Sequence, residues 1–215
     1  MCRENDLPIW IVSAGGERRV KTVISVQEAK RLAKKNLSEK RYEHTLNVKK
    51  LAVELARRNG VDENKAALAA YLHDIAKELP KDRLLQILRE NDIIANNALQ
   101  RAPAVWHGIA AAILAQKEYG IEDEDVLSAI RCHTTGKPNM SKLDKIIYMA
   151  DMASYERSYP EAESLRAHVL ENLDRGTIEG LGMSIAWLKA SGKNVDEYSL
   201  AAYAQQRQEY YGANN

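Results

Sequence analysis

The sequence predicts an all-α helical bundle, and three observations carry that prediction. From Ser25 onward the apolar residues recur at helical spacing. Short stops separate the segments so defined: Asn59-Gly60, Pro80, Gly120, Thr134-Thr135-Gly136-Lys137-Pro138 and Pro160. No internal repeat or low-complexity stretch interrupts them, so helices joined by short loops are expected throughout.

Residues 1–25 read differently from the rest. Val20 to Val26 is rich in β-branched residues and Gly15-Gly16 is a turn signal, so this part is set apart as an N-terminal extension without assigned chemistry. A short helix follows over 28–35. The second begins near Ser38, a plausible N-cap, and ends at Asn59-Gly60. A third covers 62–78 and is stopped by Pro80, because the residue before a proline is pushed out of helical geometry. A fourth covers 81–91. A loop through Pro103 leads to a fifth over 107–119, and the sixth and seventh follow over 123–133 and 141–153. Beyond Pro160 the chain is helical over about 161–208. The expected organisation is the extension 1–25, one helical domain 26–208 and a tail 209–215.

Composition narrows the function classes. The 215 residues are 45% apolar, enough for a sizeable core at this length. Basic and acidic residues number 31 and 30, a net charge of +1, which offers no global field for nucleic acid. That balance bears on the global field alone and is compatible with a small anionic ligand bound at one local site. Cys2 and Cys132 are too few and too far apart for a disulfide framework, and no CxxC pair suggests zinc. Leu7 to Val12 is too short for a signal segment, and no window approaches the ~20 apolar residues of a membrane span. The expectation is a cytoplasmic chain with no membrane and no nucleic-acid partner.

The histidines carry the chemical signal. His44 shares a face with Val48, Leu51 and Leu55; His73 with Ala66, Ala69 and Ala70. His107 shares one with Ala110, Ala111 and Leu114, and His133 with Val126, Ala129 and Ile130. Asp74 follows His73 directly, and Asp151 is in phase with Ile147 and Asp144. A single inward histidine is ordinarily a hydrogen-bonded core residue. Four in one domain would each need a buried partner, since an unpaired polar group costs about 1–3 kcal/mol, and a lone buried carboxylate costs more. A shared metal centre would satisfy all six groups at once. Spacing alone leaves both readings standing. Imidazole and carboxylate suit Fe, Mn, Co, Ni or Zn, and the lack of a cysteine ligand points to an open centre rather than a structural zinc. His168, beside Val169 and Leu170, reads as structural.

At these residues the chain resembles a known superfamily. The pair His73-Asp74, with an earlier histidine and a later aspartate on separate helices, is similar to the HD-domain metal phosphohydrolases; two further histidines match their dinuclear branch. The strings Arg41-Tyr42-Glu43-His44-Thr45, His73-Asp74-Ile75-Ala76-Lys77, Trp106-His107-Gly108, His133-Thr134-Thr135-Gly136 and Ala150-Asp151 stand in order. Together they resemble the YqeK family, the HD-domain symmetrical bis(5′-nucleosyl)-tetraphosphatases of bacteria, over roughly residues 28–205. One departure stands out. Where the family tends to carry a YIEP-type stretch after the final aspartate, this chain has Met152-Ala153-Ser154-Tyr155-Glu156, so Ser154 replaces an acidic residue while Arg157 is retained.

The resemblance implies an HD-domain bundle with a metal centre between helices. It implies that His44, His73, Asp74 and Asp151 hold one metal and that Asp74, His107 and His133 hold the other, Asp74 bridging. Adjacent helical residues differ by about 100° around the axis, which lets His73 and Asp74 approach from different angles. It implies two transition-metal ions, iron first and Mn, Co, Ni or Zn as alternatives. The implied activity is hydrolysis of diadenosine tetraphosphate to two ADP, a hydroxide held between metals about 3.5–4 Å apart attacking an inner phosphorus. Asp74 and Lys77 are then the catalytic residues. Lys77, Thr134, Thr135, Gly136, Arg41 and Arg157 are substrate-binding candidates, because ammonium, hydroxyl, backbone N–H and guanidinium groups all suit phosphate oxygens. Each has a plainer alternative: a solvated helix-end lysine, a helix stop, a surface ion pair. Trp106 could stack a base or fill the core. Expected ligands are dinucleoside polyphosphates and nucleotide products such as ADP or a GDP-like species, and a homodimer is compatible with this reading. The rival functions are another HD-superfamily nucleotide phosphohydrolase, against which the missing GYP element and the two extra histidines argue, and a nucleotide-binding regulator without turnover.

Overall fold

The computed structural model describes residues 24–91 and 101–212. The N-terminal extension up to residue 23, residues 92–100 of the loop before Pro103, and residues 213–215 of the tail lie outside the described residues. Among the described residues there are ten α-helices: α1 Val26–Asn36, α2 Glu39–Asn59, α3 Glu63–Leu72, α4 Lys81–Arg89, α5 Trp106–Lys117, α6 Glu124–Cys132, α7 Lys142–Met152, α8 Ala162–Glu171, α9 Leu173–Ala190 and α10 Glu197–Gly212. A 3₁₀ turn, Pro103–Val105, leads into α5. None of these helices is long and apolar enough to cross a membrane.

Local chemistry sets most helix starts. Ser25 and Glu28 form a reciprocal capping box, Glu28 N–H to Ser25 Oγ at 3.2 Å and Ser25 N–H to Glu28 at 2.7 Å. Ser141 and Asp144 repeat it at the start of α7. Asp62 and Asp123 cap α3 and α6 with their carboxylates, and each such cap contributes about 1 kcal/mol. Ser38 caps α2 as expected, and Gly60 ends that helix in the left-handed conformation. The C-terminal third resolves into three helices rather than one run. Asn172 breaks it first, accepting from Arg175 N–H at 2.9 Å as the N-cap of α9. The last helix, α10, continues past residue 208 to Gly212.

The largest departure from the sequence reading lies at the end of α3. The helix stops at Leu72, and residues 73–79 form successive tight turns instead of continuing to residue 78. Ile75 N–H reaches Leu72 O at 3.2 Å, Lys77 N–H reaches Asp74 O at 2.9 Å and Leu79 N–H reaches Ala76 O at 3.2 Å. These are i to i+3 bonds, which rotate the chain by about 120° per residue rather than 100°. Glu78 fixes this segment from outside: its carboxylate accepts from Ser38 N–H at 2.7 Å and from Ser38 Oγ at 2.6 Å. The start of α2, which carries Arg41 and His44, is thereby tied to the turns that carry His73, Asp74 and Lys77.

The core sits where α2, α3, α5, α6 and α7 meet. Leu51 and Leu55 of α2, Leu72 of α3, Ile113 of α5, Leu127 and Ile130 of α6, and Ile146 and Ile147 of α7 are all fully buried. Truncating one such leucine to alanine typically costs about 2–5 kcal/mol. Every residue of α5 from Trp106 to Ala115 is buried, as expected for a helix apolar on all sides. Helix α2 packs on α3 and α7, α5 on α6, and α9 carries α8 and α10 on the flank of α7. The helix ends that carry the histidines therefore meet at one place.

Candidate metal centre

The floor of the site is built from three imidazoles held in the same way. His73 donates its Nδ1–H to Ala70 O at 2.7 Å, His107 to Ala104 O at 2.9 Å and His133 to Ile130 O at 2.8 Å. A carbonyl can only accept, so Nδ1 carries a proton in each ring and Nε2 is the nitrogen turned toward the centre. The rings pack edge to face, with centroids 4.9 Å apart for His73 and His133 and 5.1 Å apart for His107 and His133. His73 is inaccessible to solvent, and His107 and His133 are nearly so.

Asp74 reaches into this ring of nitrogens. Its Oδ1 lies 3.2 Å from His107 Nε2 and 3.5 Å from His133 Nε2, and its Oδ2 lies 3.6 Å from His73 Nε2. His107 Nε2 and His133 Nε2 are themselves 3.2 Å apart. His44 and Asp151 complete the set from the other side, with His44 Nε2 3.0 Å from Asp151 Oδ1. Ligand atoms of His44, His73 and Asp151 lie within 4.8 Å of one another, and so do those of His73, Asp74 and His133. All six sequence-predicted donors are thus brought together.

The electrostatics follow from burial. It pushes His73 down to about 4 and lowers His107 as well, so these rings are neutral near pH 7. Burial would also lower His44, but the carboxylates of Asp151 and Glu156 outweigh it and push His44 up to about 9. Burial opposes ionisation of Asp74 and Asp151, yet the surrounding imidazoles hold both below the usual carboxylate range. The Nε2 atoms of His44 and His73 and the Oδ1 of Asp74 are buried without a hydrogen bond. Buried nitrogen and oxygen donors facing one another at 3.2–3.6 Å fit a cation placed between them. Nitrogen and oxygen donors without sulfur suit Fe, Mn, Co, Ni or Zn.

The substrate-binding candidates divide into two groups. Arg41 donates from Nη1 to Asp74 Oδ2 at 2.9 Å, and Arg157 donates from Nη2 to Asp151 Oδ1 at 2.7 Å. Lys77 Nζ lies 3.1 Å from His107 Nε2. The side chains of Arg41, Asp151 and Arg157 are partly exposed, at 31%, 22% and 37%, so the centre opens on their side. Thr134 has a buried hydroxyl without a hydrogen-bond partner. Thr135 and Gly136 face elsewhere. Thr135 Oγ accepts from Arg101 Nη2 at 3.0 Å, and Arg101 forms a bidentate pair with Asp196. Gly136 takes φ +66 in the turn after His133, packed against Met140, Leu181 and Ala202. Trp106 is buried and donates Nε1–H to Arg101 O at 3.2 Å.

Sequence reasoning missed two functional features. Glu156 places Oε1 2.5 Å from His44 Nδ1, a contact between residues 112 apart in the chain. Its only sequence signal was a carboxylate two residues beyond Ser154. The second is Gly108, beside which a methyl group would meet Arg131 O and His133 Cε1, both at 3.2 Å. This glycine lets α5 approach the His133 ring closely. The C-terminal histidine, His168, pairs with Glu179 at 2.7 Å.

Residues 41–175 match the HD domain family, a span that runs from Arg41 past Asp151. Among the most similar proteins is "Bis(5′-nucleosyl)-tetraphosphatase, symmetrical" of Bacillus subtilis, 38% identical over 82% of this chain and 95% of that protein. The protein of the same description from Staphylococcus aureus is 39% identical over 86% and 98%. A crystal structure of a predicted HD superfamily hydrolase involved in NAD metabolism, from Clostridium acetobutylicum, superposes with a TM-score of 0.82 at 34% identity, over 87% of this chain and all of that one. The donor set, the fold and these relatives agree, and the chain belongs to the HD-domain family, within the branch of the symmetrical bis(5′-nucleosyl)-tetraphosphatases.

Proposed function

We propose that this protein hydrolyses diadenosine tetraphosphate symmetrically into two ADP at a dinuclear metal centre. One observation carries the proposal: His107 Nε2, His133 Nε2 and Asp74 Oδ1 face one another at 3.2–3.5 Å as buried acceptors, an arrangement that calls for bound cations. His44, His73, Asp74 and Asp151 would hold one ion. Asp74, His107 and His133 would hold the other, with iron the metal the family resemblance favours. Bound ions supply an activated water near neutral pH and counter-charge for phosphoryl oxygens.

The chain's own groups do the rest. The Nδ1–H bonds to Ala70, Ala104 and Ile130 fix which ring nitrogen faces the centre. Arg41 and Arg157 are tied to ligand carboxylates at the open side, where guanidinium forks can also meet phosphate. Lys77 at the His107 rim and Thr134 with its unpaired hydroxyl are further phosphate donors. The charges of Arg41, Lys77 and Arg157 balance those of Asp74, Asp151 and Glu156, so attraction for a polyanion comes from the metals. Symmetric cleavage releases ADP, a good leaving group, and needs no strong general acid.

The test is a substrate panel under anaerobic conditions with Fe, Mn or Co added. Diadenosine tetraphosphate is expected to give ADP alone over many turnovers. AMP plus ATP would refute symmetric cleavage, and binding without turnover would favour a regulator. NAD, also a pyrophosphate-linked dinucleotide, belongs in the panel because the solved relative is a predicted hydrolase involved in NAD metabolism.

A further inference from the structure

We infer that Glu156, held in place by Ser154, is the positioning residue for His44. The inference rests on the metal-centre reading above. His44 Nε2 faces Asp151, while Nδ1, on the other edge of the ring, faces Glu156 Oε1 at 2.5 Å. Glu156 therefore approaches from behind the ligand nitrogen. The other three histidines donate Nδ1–H to a backbone carbonyl, and His44 alone among the four uses a carboxylate. A carboxylate behind a ligand imidazole fixes the tautomer and strengthens the lone pair at Nε2.

Ser154 is fully buried, and its Oγ donates to the same Glu156 oxygen at 2.7 Å. A serine here leaves room for the carboxylate to enter from two residues further on. The loop that presents it is anchored on several sides. Arg166 donates to Ala153 O at 2.7 Å and to Ser154 O at 3.2 Å. Tyr155 OH donates to Glu54 at 2.6 Å, and Lys50 Nζ lies 4.4 Å from the Tyr155 ring centroid. Lys50 and Glu54 belong to α2, the helix that carries His44. The spacing between His44 and Glu156 is thus set within one packed unit.

The test titrates full-length, metal-free protein with Co²⁺, reading the visible absorption of the bound ion. Glu156→Gln keeps the shape of the side chain and removes its charge. It is expected to weaken one of the two Co²⁺ equivalents by about 10–100-fold, with the wild-type spectrum recovered at saturating metal. Ser154→Ala should shift the same equivalent in the same direction by less. Should Glu156→Gln bind Co²⁺ as tightly as wild type, even with a lower melting temperature, Glu156 is merely structural and the inference is wrong. If Glu156→Gln does not fold, an unchanged affinity in Ser154→Ala overturns it instead. A wild-type protein that binds no Co²⁺ removes the metal-centre reading and this inference together.

Discussion

Metal loading at the His44 side of the centre should strengthen steadily with pH. In the metal-free protein His44 keeps its extra proton up to about pH 9, and a metal ion must displace that proton to reach Nε2. One displaced proton weakens binding about tenfold for each pH unit below that value. Lowering the pH from 8 to 6 should therefore reduce the affinity of this site by about 100-fold. His73, at about 4, is already neutral over this range and adds nothing to the slope. The window from pH 7 to 8.5 separates this expectation from the alternative. A histidine at its ordinary 6.5 would leave the affinity nearly flat there, whereas His44 predicts a tenfold change per unit. Competition titration with a chelator reads the slope, and calorimetry in two buffers of different ionisation enthalpy should find about one proton released per metal. Stability gives the opposite sign. The raised value stabilises the metal-free fold fully below 6.5, and that stabilisation, about 3 kcal/mol at most, is lost as the pH rises through about 9. A flat affinity between pH 7 and 8.5 would refute the reasoning and show that His44 meets the metal unprotonated.

Two substitutions probe the surroundings of the centre. Gly108→Ala should weaken Co²⁺ binding by about tenfold, because its methyl meets the fixed Arg131 carbonyl and the pinned His133 ring at 3.2 Å; an unchanged titration would mean that α5 shifts freely. Lys77→Ala should lower kcat/KM for diadenosine tetraphosphate by about 10–100-fold while metal content stays at the wild-type level. Loss of metal with kcat/KM per bound ion unchanged would place Lys77 in ligand support instead.

Much of this was legible in the sequence because the relevant information is local. The inward phase of His44, His73, His107 and His133 follows from neighbouring alanines, valines and leucines, and the helices obey that phase. The end of α3 was not legible, because residues 73–79 read as helical and their tighter turns depend on Glu78 meeting Ser38 across 40 residues. Neither was the partner of Thr135, since Arg101 and Asp196 reach it from distant segments. Glu156 was hidden for the same reason: its target sits on α2. Backbone acceptors such as Ala70, Ala104 and Ile130 leave no side-chain signature at all.

The placement of these donors at helix ends has a common physical basis. The last carbonyls of a helix lack intrahelical partners. His73 and His133 are the residues at which α3 and α6 terminate, and their Nδ1–H groups satisfy the carbonyls of Ala70 and Ile130 in those last turns. The same bond that completes the helix end also turns Nε2 toward the centre. Asp151 lies in the last turn of α7, so three helix C-termini supply donors to one point. Such termini carry partial negative charge and favour a cation within a turn. Lysine or arginine usually serves there, yet the last turns of α3 and α7 contain no basic residue. Cations bound between His73, Asp74 and Asp151 would fill that role. On this argument the metal stabilises the packing of α3, α6 and α7 as well as the chemistry, and removing it should loosen the bundle at these three ends before the rest.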